Sequence, residues 1–328
     1  MTRQTFTVDN ISGYRLTRGS LLILGVAVVL IAPNIFYPGF LMKAMCFAMF
    51  AAAFNLLFGF GGMLSFGHAA YFGAGAYICG HAAKVWGFSP ELAILTGVSV
   101  AASLGLVFGW LAIRRQGIYF AMVTLSLAQM VYFVALQAPF TGGEDGLQSV
   151  PRGMLFGTID LSHGLNMYWL VSLVFVGVLL LIRRLVRSPF GQLLQAIRDN
   201  EDRASSLGYN VSRHKLLTFV ISAAICGLAG AMKVLVFQLA SLTDVLWAMS
   251  GEPILMTLLG GAGTFSGPLL GAFIIISMQT YLAIFGGWVT IIQGAIFVLC
   301  VLMFRGGIIG SATALYKRHR YKSFFEKL

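Results

Sequence analysis

The sequence is poor in charge. Only 10% of its 328 residues are charged, hydrophobic residues make up 58%, and the mean hydropathy is +0.86. A soluble domain carries about 25% charged residues. A chain as apolar as this one would expose large hydrophobic patches in water. The charges are also clustered, and the apolar stretches between them are long enough to cross a bilayer. The composition therefore excludes an ordinary soluble domain and indicates an all-α, polytopic membrane protein.

Catalytic and metal-binding motifs are missing as well. The chain has no G-x-x-x-x-G-K-[ST] loop, no H-E-x-x-H motif and no paired carboxylates on one intramembrane face. It is therefore not expected to be an enzyme or to bind a cofactor, and any energy for transport must come from a partner or an ion gradient. The four cysteines lack C-x-x-C spacing and lie in apolar runs, so we expect buried, inert thiols at Cys46, Cys79, Cys226 and Cys300.

Acidic residues are half as frequent as basic ones, 11 against 22, which gives a net charge of +11. The basic residues lie in loops between apolar runs, where they act as orientation signals rather than as a nucleic-acid surface. With the N-terminus in the cytoplasm, 18 of the 22 basic residues fall on the cytoplasmic side. We therefore expect a bacterial inner-membrane protein with an even number of spans and both termini in the cytoplasm.

Charge, proline and glycine divide the apolar residues into about ten spans, or eight plus broken or half helices. The eighth is short for a bilayer of about 30 Å. No linker separates a second domain, so residues 1–328 are expected to form one membrane domain. Its cytoplasmic parts are an N-terminal segment (1–19), a loop (188–214) and a basic tail (311–328). The predicted spans are 20–36, 40–60, 68–85, 91–113, 117–138, 167–186, 215–240, 251–264, 267–286 and 288–305.

Two glycine-rich stretches, 59–77 and 259–273, each place glycines around a serine or threonine between apolar spans. One interpretation is a pair of broken helices beside a substrate path. The other is close packing of helices through small residues, as at Ala223, Gly227 and Gly230. The sequence leaves both open.

Several polar residues are candidates for substrate or partner contacts. His68 either lines an exit path or is packed against a backbone carbonyl, and membrane hydroxyls such as Thr124 usually bond their own helix. Glu252 is either solvated, paired with a lysine, or in contact with a binding protein. The predicted pathway residues are Ser65, His68, Tyr71, Thr124, Ser126 and Thr264, and the predicted binding-protein contacts are Glu144, Asp145 and Glu252.

The most informative segment is residues 188–214, which we call the coupling loop. Ser188 can cap a helix that starts at Pro189, and Asn200 can cap a second one. Gly208 suits a left-handed helix stop, and Ser212 can cap the next span. An apolar stripe at helical spacing follows the first cap, formed by Leu193, Leu194 and Ile197. These short faces are too small to bury themselves, which predicts either a protein partner or contact with lipid headgroups.

The run QAIRDNEDRASSLGYNVSRHKLLTF resembles the cytoplasmic coupling loop of LivM-type permeases of branched-chain amino-acid ABC importers, a type II importer fold. The strict EAA spelling is absent. The resemblance also covers the two glycine-rich stretches and extends from about residue 20 to 310. It implies that ATPase coupling involves Arg198, Asn200, Glu201, Asp202, Arg203, Ala204 and Gly208.

The same resemblance implies the partners. A LivH-type permease would complete the pathway, two cytoplasmic ATPases would carry ATP and Mg²⁺, and a periplasmic protein would deliver a branched-chain or related hydrophobic amino acid. The alternative from another class is an ion-coupled secondary transporter of small amino-acid-like solutes. The near absence of ionisable groups in the middle of the spans argues against it.

Overall fold

A computed structural model describes residue 33, residues 36–303 and residues 307–310. The helices are α1 (Pro38–Asn55), α2 (His68–Lys84), α3 (Pro90–Ala112), α4 (Ile118–Gln137), α5 (Gly164–Arg187), α6 (Pro189–Asp199), α7 (Glu201–Ser206), α8 (Val211–Phe237), α9 (Gly251–Gly260), α10 (Gly267–Tyr281) and α11 (Trp288–Met303). A π-helical turn, Leu56–Phe60, continues α1. Every predicted span from 40–60 onward coincides with a helix, which confirms the all-α, polytopic class. The segment 1–19, the tail 311–328 and, apart from residues 33 and 36, the span 20–36 lie outside the described residues.

Five described helices are long and apolar enough to cross a membrane: Pro38–Phe60, α3, α4, α5 and α8. The first of these is 94% buried over its most apolar window and α8 is 72% buried, whereas α3, α4 and α5 lie between 28% and 39%. Helix α1 contacts α5, α8, α9 and α10. It therefore forms the centre of the molecule, and the outer helices present apolar faces of the kind that lipid or another membrane subunit covers.

Helices α2, α3 and α8 approach one another through small residues. A Cβ added to Gly75 would overlap the backbone of Gly227, and one added to Gly227 would overlap Ala101. Gly230 lies equally close to the backbone of α2. Such contacts bring helix backbones together and increase dispersion contacts in lipid, where no hydrophobic effect drives helices together. The close-packing interpretation therefore holds for Gly227 and Gly230.

The chain is also interrupted in both glycine-rich stretches, at 61–67 before α2 and at 261–266 between α9 and α10, as the broken-helix interpretation expects, and a substrate path beside these breaks stays a prediction. Helix α2 has 17 residues and spans about 25 Å, less than a bilayer of about 30 Å. After α8 the chain turns back along α2, where Val245 packs on Gly73 and Ser250 Oγ accepts a hydrogen bond from Ala69 N–H. The ten-residue α9 therefore begins beside the first turn of α2. The predicted short eighth span is confirmed.

We call the end of the molecule that lies away from the coupling loop the opposite end. It carries a folded connection between α4 and α5. Strand β1 (Leu147–Gln148) pairs antiparallel with β4 (Leu239–Ala240), and β2 (Met154–Leu155) forms a hairpin with β3 (Ile159–Asp160). Arg152 ties this loop down by donating hydrogen bonds to backbone carbonyls at the end of α8. The connection between α4 and α5 is therefore ordered and rich in turns.

The described cysteines Cys46, Cys79 and Cys226 are buried and free, as expected. Cys79 Sγ lies 3.9 Å from the carbonyl oxygen of Ala231, a weak hydrogen bond inside the packed core. The side chain of Cys300 lies outside the described part of the structure.

Candidate functional site: the coupling loop and the broken helices

The coupling loop begins with two capped helices. Ser188 Oγ accepts a hydrogen bond from Gly191 N–H at 3.4 Å, and Pro189 occupies the first helical position of α6. Asn200 Oδ1 accepts a hydrogen bond from Arg203 N–H at 2.9 Å at the start of α7. Each cap satisfies an N–H group that has no partner in the first turn of a helix. Both predicted caps are confirmed.

The loop ends in a different way from the one expected. Gly208, with φ of +86°, terminates α7 as predicted. Helix α8 begins at Val211, and its cap is Asn210, whose Oδ1 accepts a hydrogen bond from Arg213 N–H at 3.1 Å. The expectation that Ser212 caps this helix is wrong, because Ser212 already lies inside the first turn.

The apolar stripe of α6 faces inward. Leu194 is 1% exposed and lies against the backbone at Gly61, and Ile197 packs with Ala204 and Val211 in a small cluster of its own. The expectation that the faces of the two short helices are too small to bury themselves is wrong. The rest of the chain covers the stripe, so the stripe is not available to a partner protein or to lipid headgroups.

The outer face of the coupling loop is mixed polar and apolar. Asp202 and Arg203 are exposed, and beside them Leu207 is 70% exposed and Tyr209 is 50% exposed. The sequence pattern indicated the two charged residues but not the two apolar ones. The available signal was their position on either side of the predicted helix stop at Gly208, outside the apolar stripe of α6.

Glu201 joins three elements at the inner edge of the loop. Its carboxylate accepts hydrogen bonds from Lys215 Nζ in α8 and, at 3.1 Å, from Gln116 Nε2 in the α3–α4 turn. The side chains are 33% exposed for Glu201 and 10% for Lys215, so solvent screens this ion pair only in part. Glu201 therefore fixes α7 to the membrane helices, and the free acid on the outer face is Asp202.

Arg198 points from the last turn of α6 to the broken end of α1. Its Nη1 donates a hydrogen bond to the carbonyl oxygen of Gly59 at 2.6 Å, and its Nε and Nη2 donate to Asp199 Oδ1 at 3.3 and 3.2 Å. The aliphatic part of the side chain passes over Gly62, where a Cβ would lie 2.6 Å from Arg198 Cγ. Arg198 is therefore, together with Glu201, a predicted coupling residue that contacts the membrane helices directly.

A single buried amide connects the two broken helices. Asn55 Nδ2 donates a hydrogen bond to the carbonyl oxygen of Thr264, and Asn55 Oδ1 accepts one from Gly263 N–H, both at 2.9 Å. Asn55 is 2% exposed. The sequence pattern did not single out Asn55, although an amide inside the apolar span 40–60 is the kind of residue that marks a polar contact inside a membrane protein.

Three hydroxyl groups meet at the first turn of α2, two from predicted pathway residues and one from Ser250. Thr124 Oγ1, Ser65 Oγ and Ser250 Oγ accept hydrogen bonds from the backbone N–H groups of residues 66, 67 and 69, at 3.1, 3.1 and 2.9 Å respectively. These N–H groups precede or open a helix that starts inside the protein, where water does not satisfy them. The three side chains, each at most 1% exposed, therefore cap α2.

His68 is packed at the same place. Its Nε2 lies 3.0 Å from Ser222 Oγ, which in turn donates a hydrogen bond to the carbonyl oxygen of Ala53 at 2.6 Å. The ring is 1% exposed and meets the ring of Tyr71 edge-on, with 6.1 Å between the centroids. This position fits the packed interpretation, and a place on the exit path stays a prediction.

The other two predicted pathway residues lie elsewhere. Ser126 is exposed on α4 and donates a hydrogen bond to the carbonyl oxygen of Met122 in its own helix, as membrane hydroxyls commonly do. Thr264 lies in the break between α9 and α10, where its Oγ1 accepts a hydrogen bond from Gly267 N–H. The structure therefore brings together Ser65, His68, Tyr71 and Thr124, but neither Ser126 nor Thr264 joins them.

The predicted binding-protein contacts divide in the same way. Glu144 and Asp145 are exposed on the folded loop at the opposite end. Glu252 instead opens α9 between membrane helices and accepts a hydrogen bond from Gln279 Nε2 at 2.9 Å, and among the described residues no lysine lies within salt-bridge distance of it. Its Oε2 is buried without a hydrogen-bond partner among the described residues. Glu252 is therefore neither solvated nor in a direct pair with a lysine, and its contact with a binding protein stays a prediction.

A cavity of about 590 Å³ lies behind the coupling loop. Its walls are the break at 61–66, the α3–α4 turn and the inner edge of α6 and α7. Charged side chains from each side line it, namely Arg115, Arg198, Asp199, Glu201 and Lys215. The cavity separates the coupling loop from the α3–α4 turn, so the two approach mainly through the polar contacts of Glu201.

Comparison with known proteins assigns this architecture. Residues 36–302 match the sequence profile of the family described as the permease component of branched-chain amino-acid transport systems. The chain is 26% identical over 288 residues to the LivM permease proteins of the high-affinity branched-chain amino-acid transport systems of Salmonella typhimurium and Escherichia coli, which covers 81% of this chain and 68% of each relative.

Similarity extends to other members. The probable LivM permease protein of Methanocaldococcus jannaschii is 28% identical over 200 residues, which covers 58% of this chain and 57% of that protein. The probable LivH permease protein of the same organism is 26% identical over 220 residues, or 64% of this chain and 69% of that protein. No solved structure gave a significant match.

Proposed function

The chain belongs to the family of branched-chain amino-acid transport permease components, and from this membership we propose the partners, the substrate class and the site residues of this subunit. It is a multi-pass membrane protein and a translocation subunit of an importer. Its substrates are branched-chain or related hydrophobic amino acids, its energy comes from two ABC ATPases that carry ATP and Mg²⁺, and a LivH-type permease forms the other half of the pathway.

The outer face of the coupling loop is the contact surface for the ATPase. The observation that carries this assignment is the division of the loop into two faces, with Leu194 and Ile197 buried against the permease and Leu207 and Tyr209 left exposed. Exposed apolar and aromatic side chains rimmed by charges, here Asp202 among them, are typical of protein interfaces.

A stiff loop is suited to transmit movement. Its two helices are capped, its apolar stripe is packed, and Glu201 and Arg198 fix it to the membrane helices at two points. A glycine- and serine-rich loop of the same length would absorb the displacement of a partner. Contact with cytoplasmic ATPases orients the protein with the coupling loop and both chain termini on the cytoplasmic side, in agreement with the distribution of Lys and Arg.

The opposite end then faces the periplasm and receives the binding protein. Glu144 and Asp145 project from a connection that Arg152 and two strand pairs hold in place. A nearby carboxylate, Asp160, accepts a hydrogen bond from Ser162 N–H, which holds the pKa of that carboxyl below its usual range. Exposed acidic groups on a rigid loop favour a partner with basic residues on its docking surface.

The test uses the full complex of permease pair, ATPases and binding protein. In Tyr209→Ala, we expect the ATPases to bind the membrane subunits about tenfold or more weakly, because truncating a central interface tyrosine typically costs over 1 kcal/mol. Co-purification of the ATPase subunits and ATP-dependent leucine uptake in proteoliposomes both report the loss. Asp202→Lys is expected to reduce uptake while membrane insertion persists.

The matched control is Tyr119→Ala, since Tyr119 is exposed at the same end of the molecule but lies on α4 outside the coupling loop. It should leave ATPase binding unchanged. Normal ATPase binding and normal uptake in both Tyr209→Ala and Asp202→Lys would refute the assignment of the coupling face.

A further inference from the structure

Three segments that are distant in sequence meet at the C-terminal end of α1. They are the end of α6 with Arg198, the π-helical turn with Gly59, and the break between α9 and α10 with Gly263. We propose that Arg198 is a positioning residue that transmits movement of the coupling loop to both broken helices through the carbonyl oxygen of Gly59. The proposal rests on the proposed function and adds the contact through which coupling acts.

The carbonyl of Gly59 is available because of the π-helical turn. Gly62 N–H bonds to Phe58 and Met63 N–H bonds to Leu57, so the backbone closes around Gly59 without using its oxygen. The last carbonyls of a helix lack intrahelical partners and carry partial negative charge. A guanidinium at this position satisfies the carbonyl and interacts favourably with the helix dipole.

The backbone around Arg198 is shaped to admit the side chain. Gly62 and Gly263 both have positive φ, +71° and +73°, which other residues rarely adopt. A Cβ on Gly62 would collide with the stem of Arg198, and one on Gly263 would lie 3.5 Å from Arg198 Nη1. The guanidinium therefore lies between two glycine backbones, one from each broken segment. On its other edge, Arg198 Nε and Nη2 donate hydrogen bonds to Asp199 Oδ1.

Asn55 extends the connection to the second break. It lies one helical turn before Gly59 and bonds to both Gly263 and Thr264. A Cβ on Gly59 would overlap both Asn55 Oδ1 and Gly263 N, so the backbones of Gly59 and Gly263 and the side-chain amide of Asn55 are in direct contact. A displacement of Arg198 therefore moves the end of α1 and the start of α10 together. Hydrogen bonds are directional, whereas the apolar contact of Leu194 with Gly61 allows sliding.

The experiment measures uptake and ATP hydrolysis in the same proteoliposomes, which contain the complete transporter with binding protein and leucine. In Arg198→Ala, we expect leucine uptake to fall about tenfold or more, because a hydrogen bond to a charged group is lost, while stimulated ATP hydrolysis persists. Uptake per ATP therefore falls. Arg198→Lys keeps the charge but not the guanidinium fork, and it should recover part of this ratio.

Arg184→Ala is the matched control, because Arg184 is an exposed arginine in the last turn of α5, at the same end of the molecule as Arg198. It should leave uptake per ATP unchanged. If Arg198→Ala lowers uptake and hydrolysis in equal proportion, or changes neither, the proposal is wrong. Should Arg198→Ala fail to assemble, the same ratio in Arg198→Lys decides: a wild-type ratio refutes the proposal. A wild-type complex without ATP-dependent uptake would instead refute the proposed function.

Discussion

Helices α1 and α9 meet at both ends through polar groups, and the two ends differ. At the coupling end, Asn55 uses its amide oxygen and nitrogen in hydrogen bonds to the break after α9. At the opposite end, Lys43 and Glu252 carry opposite charges within electrostatic range but form no salt bridge, and one oxygen of Glu252 is buried without a hydrogen-bond partner among the described residues. The first end is a closed hydrogen-bonded contact of Asn55 with Gly263 and Thr264, which we call the joint. The second end retains charge that its surroundings only partly satisfy.

The difference has a physical consequence. A satisfied amide in a low-dielectric interior fixes one geometry, because every alternative leaves a donor or acceptor unpaired. A charge pair with unused hydrogen-bonding capacity fixes no single geometry and contributes less to stability, since desolvation offsets much of the attraction. We therefore expect α1 and α9 to stay joined at the coupling end and to tolerate rearrangement at the opposite end.

The largest expected effect comes from breaking the joint. Asn55→Leu has nearly the same size but removes both hydrogen bonds, and it leaves Gly263 N–H and the carbonyl of Thr264 unpaired. Each unsatisfied buried group costs about 1–3 kcal/mol, so the permease should be destabilised by about 2–6 kcal/mol. Thermal unfolding of the detergent-solubilised permease pair measures this loss.

Ser126→Ala is the control for that substitution. Its hydroxyl is exposed and bonds only to its own helix, so the stability should change by less than about 0.5 kcal/mol. An Asn55→Leu variant that unfolds at the same temperature as Ser126→Ala would show that the amide is not a joint.

A smaller effect is expected at the opposite end. Lys43→Met removes the cation near the Glu252 carboxylate and should destabilise the permease by about 1–2 kcal/mol, below the cost of breaking a buried pair in direct contact. The double variant Lys43→Met with Glu252→Gln removes both charges and should recover most of the loss, because an apolar or neutral replacement of a buried pair is often close to neutral. Thermal unfolding of the single and double variants tests the comparison.

The two end contacts should therefore respond differently to compensation. An equal and additive loss in the Lys43 and Glu252 variants would contradict the electrostatic interaction between them. A loss as large as that of Asn55→Leu would contradict the distinction between a closed joint and an open charge pair.

The sequence predicted the helices well because apolar length is a strong signal in a membrane protein. The caps at Ser188 and Asn200 and the helix stop at Gly208 were predictable for the same local reason, since each depends on residues within one turn. The prediction that Ser212 caps α8 was wrong because Asn210, two residues earlier, also offers a side-chain oxygen that can cap the helix.

The joint itself could not be predicted in the same way. Asn55 and Gly263 are 208 residues apart, and nothing in either local pattern indicates that they touch. The same applies to Arg198, whose spacing placed it on the coupling loop but did not show that its guanidinium turns toward Gly59. Hydroxyl groups such as Thr124 and Ser126 look alike in the sequence, and only the packing of α4 separates the buried one from the exposed one.

The smallest expected effect concerns the second fixing point of the coupling loop. Glu201→Gln removes the charge that pairs with Lys215 and accepts from Gln116, but it keeps the size of the side chain and one acceptor oxygen. A partly exposed pair of this kind contributes about 1 kcal/mol or less. Stability should therefore fall only slightly, and the loss should shrink at high salt, because ions screen the remaining attraction. Leucine uptake at low and high salt gives the functional readout. If Glu201→Gln abolishes uptake at both salt concentrations, Glu201 meets the ATPase directly, and the division of the loop into an inner and an outer face is wrong.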